Sequence, residues 1–500
     1  MTHAASPAPT GAQAPVLADS RLYIDGQLRP AASGRTYANI GPAFGSEIGR
    51  AADADAADVE AAIGAARRAF DDGTWARDRA HRLGCLRRWR EQLGILADHW
   101  RPGIAAETGA PLGLTYGYQL DLPIRFMDWT LDLAERHDYE RDIGVTRAMN
   151  MPTRRLVVQE PVGVVAAITP WNAPVQINLA KCAAALAAGC TVVLKAAPET
   201  PWSAALLGVA AAQARLPPGV FNVITSEDKA GAGAQLVADP RVDLVSFTGS
   251  TATGKRIAAA AADTIKRVFL ELGGKSASVV LDDAEFPQAL YHGLAVCYHA
   301  GQGCSITTRM LLPRGRYREA VDILQGLFEQ LPYGDPSSLE QILGPLISAS
   351  HRERVLSYVR LGSEEGARLV TGGRIPARLS HGYYLEPTLF ADVHNRMRIA
   401  QEEIFGPVLV AIPHDGDDDA VRIANESSYG LGGAVHSAST ERALQVARRL
   451  RTGTVNINAG NAFDADAPFG GYKQSGVGRE NGMLGFEEYL ETKAIALPGD

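Results

Sequence analysis

The sequence predicts an α/β fold organised around a parallel sheet, on two observations. Short apolar runs recur at 164–168, 191–194, 220–224, 244–247 and 278–281, and Ala-rich segments separate them at 178–188, 203–214 and 253–262. A strand that is apolar at every position is buried on both faces, and the Ala-rich pieces are the helices that cover it. Strand–helix alternation of this kind gives right-handed crossovers and parallel pairing. Ligands on such sheets sit beyond the carboxyl ends of the strands, so the residues just after each run matter most.

A second α/β segment follows, with an apolar helix-like stretch before Gly301, a strand at 307–312, a helix at 317–330 and strands at 407–412 and 454–458. Five hundred residues exceed what one core organises, which points to two or three domains without a repeat or a low-complexity linker. Apolar residues at 46% and charged residues at 21% fit a soluble globular chain. No apolar run reaches the ~18 residues that span a bilayer. Residues 1–18 are rich in Ala and Pro without a basic start, so a disordered arm is expected there and not a signal peptide. A formal charge of −7 argues against a nucleic-acid partner. Five cysteines, an odd count without CxxC, indicate reduced thiols and a cytoplasmic location, and the histidines form no HExxH, so no metal site is expected.

Five short motifs carry chemistry. Phe247-Thr248-Gly249-Ser250 leaves a strand and enters a helix, where a bare backbone and free N–H groups attract an anion such as a pyrophosphate. GSTATGKR nearly spells a nucleotide-triphosphate loop, but Arg256 stands where a hydroxyl would hold magnesium. Gly231-Ala232-Gly233 opens a weaker glycine turn, because Leu236 occupies its third glycine position. Cys304, between Gly303 and Ser305, is the cysteine placed for access, whereas Cys182 and Cys190 lie among Ala and Leu. A thiol attacks a carbonyl carbon only when a base or a polar setting ionises it. Glu271, just beyond an apolar strand, is such a base, with a solvated turn carboxylate as the plain alternative. Asn172, in Pro170-Trp171-Asn172-Ala173-Pro174, is either an oxyanion donor or a helix cap.

Together these segments resemble the aldehyde dehydrogenase superfamily over about residues 20–498. The landmarks are Pro170-Trp171-Asn172, Lys195, Phe247-Thr248-Gly249-Ser250, Glu271-Leu272-Gly273-Gly274-Lys275, Gly301-Gln302-Gly303-Cys304, Glu402-Glu403-Ile404-Phe405-Gly406-Pro407 and Pro468-Phe469-Gly470-Gly471-Tyr472-Lys473. The resemblance implies a Rossmann-like cofactor domain (19–138 and 160–271), a catalytic domain (272–474) and a small antiparallel oligomerisation element (139–159 and 475–500) that builds a homodimer or homotetramer. It makes Cys304 the nucleophile, Asn172 the oxyanion donor and Glu271 the base that hydrolyses a thioester. It assigns NAD, with NADP as an option, to Ile168, Pro170, Trp171, Lys195, Gly231, Phe247, Gly249, Ser250, Leu272, Gly273, Glu403 and Phe405. The aldehyde tunnel falls to Leu122, Ala173, Gln176, Ala180, Tyr298, Gly303, Ser305, Phe463 and Phe469.

The chain also departs from the pattern. Many relatives carry Glu three residues after the lysine matched by Lys195, where it grips the ribose 2′-hydroxyl; here Pro198 stands there, followed by Glu199. His299 replaces an Asn found in many members. Small residues at Ala173 and Ala180, and no cation in the tunnel set, point to a bulky apolar aldehyde. Two other functions remain in view, a coenzyme A-acylating member of the same superfamily and a P-loop-like nucleotide-binding protein.

Overall fold

A computed structural model describes residues 20–499, and the arm expected at residues 1–18 lies outside them. The first sheet is built on five parallel strands: β1 (Val164–Ile168), β2 (Thr191–Lys195), β3 (Phe221–Ile224), β4 (Leu244–Thr248) and β5 (Arg267–Glu271). Their spatial order is β3-β2-β1-β4-β5, so the winding reverses between β1 and β4. Helices α1 (Pro174–Ala188), α2 (Pro201–Gln213), α3 (Gly231–Ala238) and α4 (Thr251–Ala261) make the crossovers. β1, β2 and β4 are buried at every residue, because apolar cores pack on both faces of the sheet. Pro174 and Pro201 open α1 and α2 at positions where a missing N–H costs nothing, and Gly189 ends α1 with a φ of 107°.

The apolar run at 278–281 belongs to a different sheet from the four before it. Strand β6 (Ser276–Val280) pairs with β7 (Thr307–Pro313) and with Gly433–His436 in a second sheet of seven strands. The switch falls on Gly273-Gly274, where the chain crosses between two bodies too close to admit side chains. An ideal Cβ on Gly273 would lie 2.5 Å from Glu403 Oε2, and one on Gly274 would lie 2.4 Å from the Cys304 carbonyl oxygen.

The third sheet is antiparallel and has three strands, Leu490–Pro498, Met151–Pro161 and Glu140–Ala148, in that order. The segment 475–500 is not all part of it. Gly476–Val477 pairs with Leu270–Glu271 on the edge of the first sheet, and Phe486 of the helix Gly482–Glu487 is buried in that sheet's core. Gly476 makes the edge contact feasible, since a Cβ there would sit 2.1 Å from the Leu270 carbonyl oxygen. Among the described residues no helix is long and apolar enough to cross a membrane.

Candidate active site

The carboxyl ends of β1, β4 and β5 open on one cavity of about 240 Å³. Pro170, Trp171 and Asn172 reach it from the turn after β1, Thr248, Gly249 and Ser250 from the end of β4 and the turn beyond it, and Leu272 and Gly273 from the end of β5. Cys304, Glu403 and Phe405 close it from the second domain, together with His351 and Arg354. This is the crevice that reversal of the strand order creates.

Cys304 is held by its upstream loop. His299, Ala300 and Gly301 all adopt positive φ (48°, 52° and 71°), and a Cβ at Gly301 would lie 2.2 Å from the Gly406 carbonyl oxygen. Gln302 is buried and fastens the loop, donating to the His299 carbonyl at 3.0 Å and accepting from the Ile347 N–H at 2.9 Å. The Asn172 amide donates to the Gln302 carbonyl at 2.9 Å. An amide nitrogen carries two protons, and the Gln302 carbonyl takes one of them; Asn172 also lines the cavity. Cys304 is half-buried as a residue, yet burial of its thiol, followed by the negative charges of Glu271, Glu403 and Glu480, pushes its pKa up to about 12. The Cys304 thiol therefore rests neutral.

Glu271 ends β5 and is 1% exposed, and neither carboxylate oxygen has a hydrogen-bond partner among the described residues. Burial raises its pKa well above the carboxylate range and Glu480 adds to this, while Lys181 and Arg479 oppose it. Lys181 and Glu480 form a buried ion pair at 2.7 Å. Gly470, with a φ of 156°, leaves room for the Glu271 carboxylate, since a Cβ there would lie 2.7 Å from Oε1. A carboxylic acid with free oxygens and a raised pKa is suited to exchanging a proton at a higher pH than an ordinary carboxylate.

The dinucleotide side is equally built. Ser250 caps α4 by accepting from the Thr253 N–H at 3.2 Å, and the Phe247 ring lies so close under Gly249 that a Cβ would meet it at 2.5 Å. Lys255 and Arg256 turn away from a triphosphate cradle, donating to Gln474 Oε1 at 3.0 Å and Thr253 Oγ1 at 3.3 Å. Glu403 Oε1 accepts from the Gly274 N–H at 2.9 Å, and burial raises its pKa. Phe405 has a φ of 61°, and its ring stands edge-on to Trp171 at 5.6 Å. Lys195, 4% exposed at the end of β2, has its pKa lowered by burial, with Glu199 opposing; the Glu199 carboxylate is itself paired to Lys229.

A model of the aldehyde dehydrogenase family matches residues 29–495. The chain belongs to that family. It is 44% identical to a 3-succinoylsemialdehyde-pyridine dehydrogenase of Pseudomonas sp., over 95% of this chain and 98% of that one. It is 41% identical to a geranial dehydrogenase of Castellaniella defragrans, over 96% and 98%. Among solved structures, a cysteine-to-alanine mutant of aldehyde dehydrogenase C from Pseudomonas syringae, complexed with NAD+ and octanal, superposes with a TM-score of 0.90 at 39% identity, covering 95% and 96% of the two chains.

Within this aldehyde dehydrogenase, the residues expected at the cofactor are not all in one place. Ten of the expected catalytic and cofactor residues line the 240 Å³ cavity. Ile168 and Lys195 face each other in register at the ends of β1 and β2, and Phe247 lies beneath Gly249. Gly231 stands apart, exposed at the start of α3 with its N–H bonded to Asp228 Oδ1 at 2.9 Å. Of the expected tunnel residues, Gln176, Ala180 and Phe463 share a second, smaller cavity of about 30 Å³ with Phe126, Trp129 and Asn481. Phe469 packs against Phe463 at 6.0 Å, and Leu122 is half-buried on the helix that carries Phe126. Ala173 is buried at the N-cap of α1, Gly303 abuts Ile306, Tyr298 is partly exposed and Ser305 is exposed. Sequence reasoning missed Thr248, His351 and Arg354 in the main cavity and the Lys181–Glu480 pair behind Glu271. Thr248 stands within the Phe247–Ser250 motif, and Lys181, the one charged residue of its helix, left a signal too.

Proposed function

We propose that the protein oxidises an aldehyde to the carboxylic acid with NAD, through a thioester on Cys304. The observation that carries this reading is the convergence of Cys304, Asn172 and the Glu403–Phe405 pair on one cavity at the strand ends, with Glu271 buried beside it. The cavity fits a dinucleotide. Gly249 is bare above the Phe247 ring, Gly273 is bare against Glu403, and the α4 N-terminus points its dipole at the position a pyrophosphate would take. Lys195, Ser250, Trp171, Glu403 and Phe405 would hold it, with Ile168, Pro170, Phe247, Leu272 and Gly273 as walls and Gly231 at the far end. When bound, the nicotinamide accepts the hydride.

The protein's own residues do the rest. The Cys304 thiol gives its proton to solvent as its sulfur bonds to the carbonyl carbon, the C=O π pair moves onto the oxygen, and the free Asn172 N–H donates to that oxyanion. Loss of the hydride from that carbon gives the Cys304 thioester. Glu271, ionised, takes a proton from water, whose oxygen attacks the thioester carbon; the acid departs and the Cys304 sulfur regains a proton. Hydrolysis by a carboxylate base favours this reading over transfer to coenzyme A.

NAD is preferred over NADP because Glu199, which acts electrostatically on Lys195, supplies beside it the carboxylate that Pro198 lacks and would repel a 2′-phosphate. A bulky apolar substrate is supported by the small Ala180 and the aromatic side chains of Phe126, Trp129 and Phe463 that line the cavity at Gln176, rather than by its free volume. A relative named a geranial dehydrogenase and a relative whose structure holds octanal support it. The exposed three-stranded sheet, with Ile143, Val145, Ile495 and Leu497 at its surface, is the surface through which copies of the chain would join as dimer or tetramer. An aldehyde panel with both cofactors, followed at the reduced-nicotinamide absorbance, tests the function. Reduction should require no coenzyme A and vanish in Cys304→Ala; dependence on coenzyme A, or turnover by that variant, would overturn it.

A further inference from the structure

A third cavity lies on the other side of the Gly273-Gly274 crossing, in the catalytic domain. Lys275, Arg309 and the backbone of Gly430–Gly433 line it, and Asn425, Tyr429 and Thr452 form its half-buried mouth. Lys275 is 2% exposed, and its Nζ has no hydrogen-bond partner among the described residues. Arg309 is equally buried, and its four hydrogen bonds all end on neutral oxygens: the carbonyls of Lys275, Ile423 and Ala424, and Asn395 Oδ1. Lys473, bonded to the Asn425 and Ser427 carbonyls at the mouth, and Arg451 beside it add positive charge.

The nearby carboxylates do not fill the cavity. Glu403 accepts from Gly274, Glu402 is bonded by Arg398 and Tyr358, and Glu426 by Arg422, with Arg396 close by. Among the described residues, two buried cations thus share a space to which no carboxylate is bonded. A buried charge is either paired or given up, and burial, with Arg309 next, does lower Lys275 to about 7 while Glu403 and Glu402 oppose the shift.

We propose that this cavity is a binding site for one small inorganic anion of halide size, held between Lys275 Nζ and the unused N–H of Arg309. The free space of about 10 Å³ is about that of one water-sized particle, which favours a monatomic anion over phosphate or a carboxylic acid. The anion keeps Lys275 protonated, so at a pH above about 7 its binding takes up a proton. The site shares no lining residue with the proposed cofactor cavity and stands independently of that reading.

Sodium bromide is the probe. In crystals of the whole protein soaked in bromide, anomalous scattering should place one ion within hydrogen-bonding reach of Lys275 Nζ. In solution, exchanging gluconate for bromide at constant ionic strength should raise the Tm by about 2–3 °C at a hundredfold excess over the Kd. The rise should be lost in Lys275→Met. Bromide found elsewhere but absent from this cavity overturns the proposal, and so does an undiminished Tm response in Lys275→Met. If that variant does not fold, the wild-type soak decides alone.

Discussion

Replacing Asn172 by Ala removes two hydrogen-bond donors with separable consequences. One proton of the amide serves the Gln302 carbonyl at 2.9 Å, and both residues are buried, at 7% and 1% exposure. Leaving that carbonyl unpaired costs about 1–3 kcal/mol of stability. Unfolding entropy of about 2 cal/mol/K per residue comes to roughly 1 kcal/mol/K for this chain, so the Tm should fall by about 1–3 °C. The other proton is the one the proposed mechanism gives to the oxyanion, and loss of one oxyanion donor costs about 10²–10³ in kcat. Asn172→Asp keeps the shape but puts oxygens where donors stood, so it should be at least as slow as Ala. Initial-rate kinetics at saturating NAD and aldehyde, beside thermal melting, separate the two effects. A kcat within about threefold of wild type in either folded variant, or a loss confined to KM, would refute the donor role.

Glu271→Gln should release about one equivalent of reduced cofactor per site and then stall, because the thioester forms but no base activates water; normal steady turnover would remove Glu271 from that role. The raised carboxyl pKa means that the base is protonated at low pH, so steady-state turnover should rise with pH in wild type. His299, His351 and His436 are each held neutral down to about 4 against 6.5 in the unfolded chain. Their folded pKa values are depressed bases, so the stability they contribute is present above 6.5 and lost as pH falls towards 4, by at most roughly 3 kcal/mol each. Denaturant titrations from pH 7 to 4.5 should show proton uptake on unfolding, diminished in His436→Asn; a flat profile would contradict it. Ala180→Phe should lower kcat/KM at least about tenfold for eight- to ten-carbon apolar aldehydes and leave acetaldehyde within about threefold. Ile495→Asp should weaken self-association by about tenfold or more in sedimentation, with the protomer still folded.

The sequence made the strands of the first sheet legible because burial on both faces removes any need for polar residues, and 164–168, 191–194 and 244–247 each carry that signature. It also marked Asn172, Ser250, Glu271 and Gly273, since the ends of such strands are where a parallel sheet presents its ligands. The run at 278–281 reads as one more strand of that sheet, wrongly, for a related reason. Its apolar pattern equals that of its predecessors, and which sheet receives it depends on pairing with Thr307–Pro313 and Gly433–His436, far along the chain. His351 and Arg354 were illegible because they sit on the helix Ala349–Glu364, whose sequence looks like any solvated helix, and only its docking turns them toward Trp171 and Glu403.

Lys181 shows what the sequence could still have yielded. Twelve of the fifteen residues of α1 are buried, so a lysine in the middle of that run cannot be solvated and must have a partner. That argument predicts a buried carboxylate without naming it, and the carboxylate is Glu480, 299 residues away, from the segment that follows the extra edge strand. The edge strand Gly476–Val477 is thus more than a finishing piece of the sheet. By pairing with Leu270–Glu271 it fixes β5 from the side, and within four residues it delivers the carboxylate that neutralises Lys181 and raises the pKa of Glu271. Local composition declares the need for a counter-charge at one point of the chain, topology supplies it from another, and the Glu271 carboxyl at the end of β5, its pKa raised first by burial, is raised further by Glu480 and opposed by Lys181.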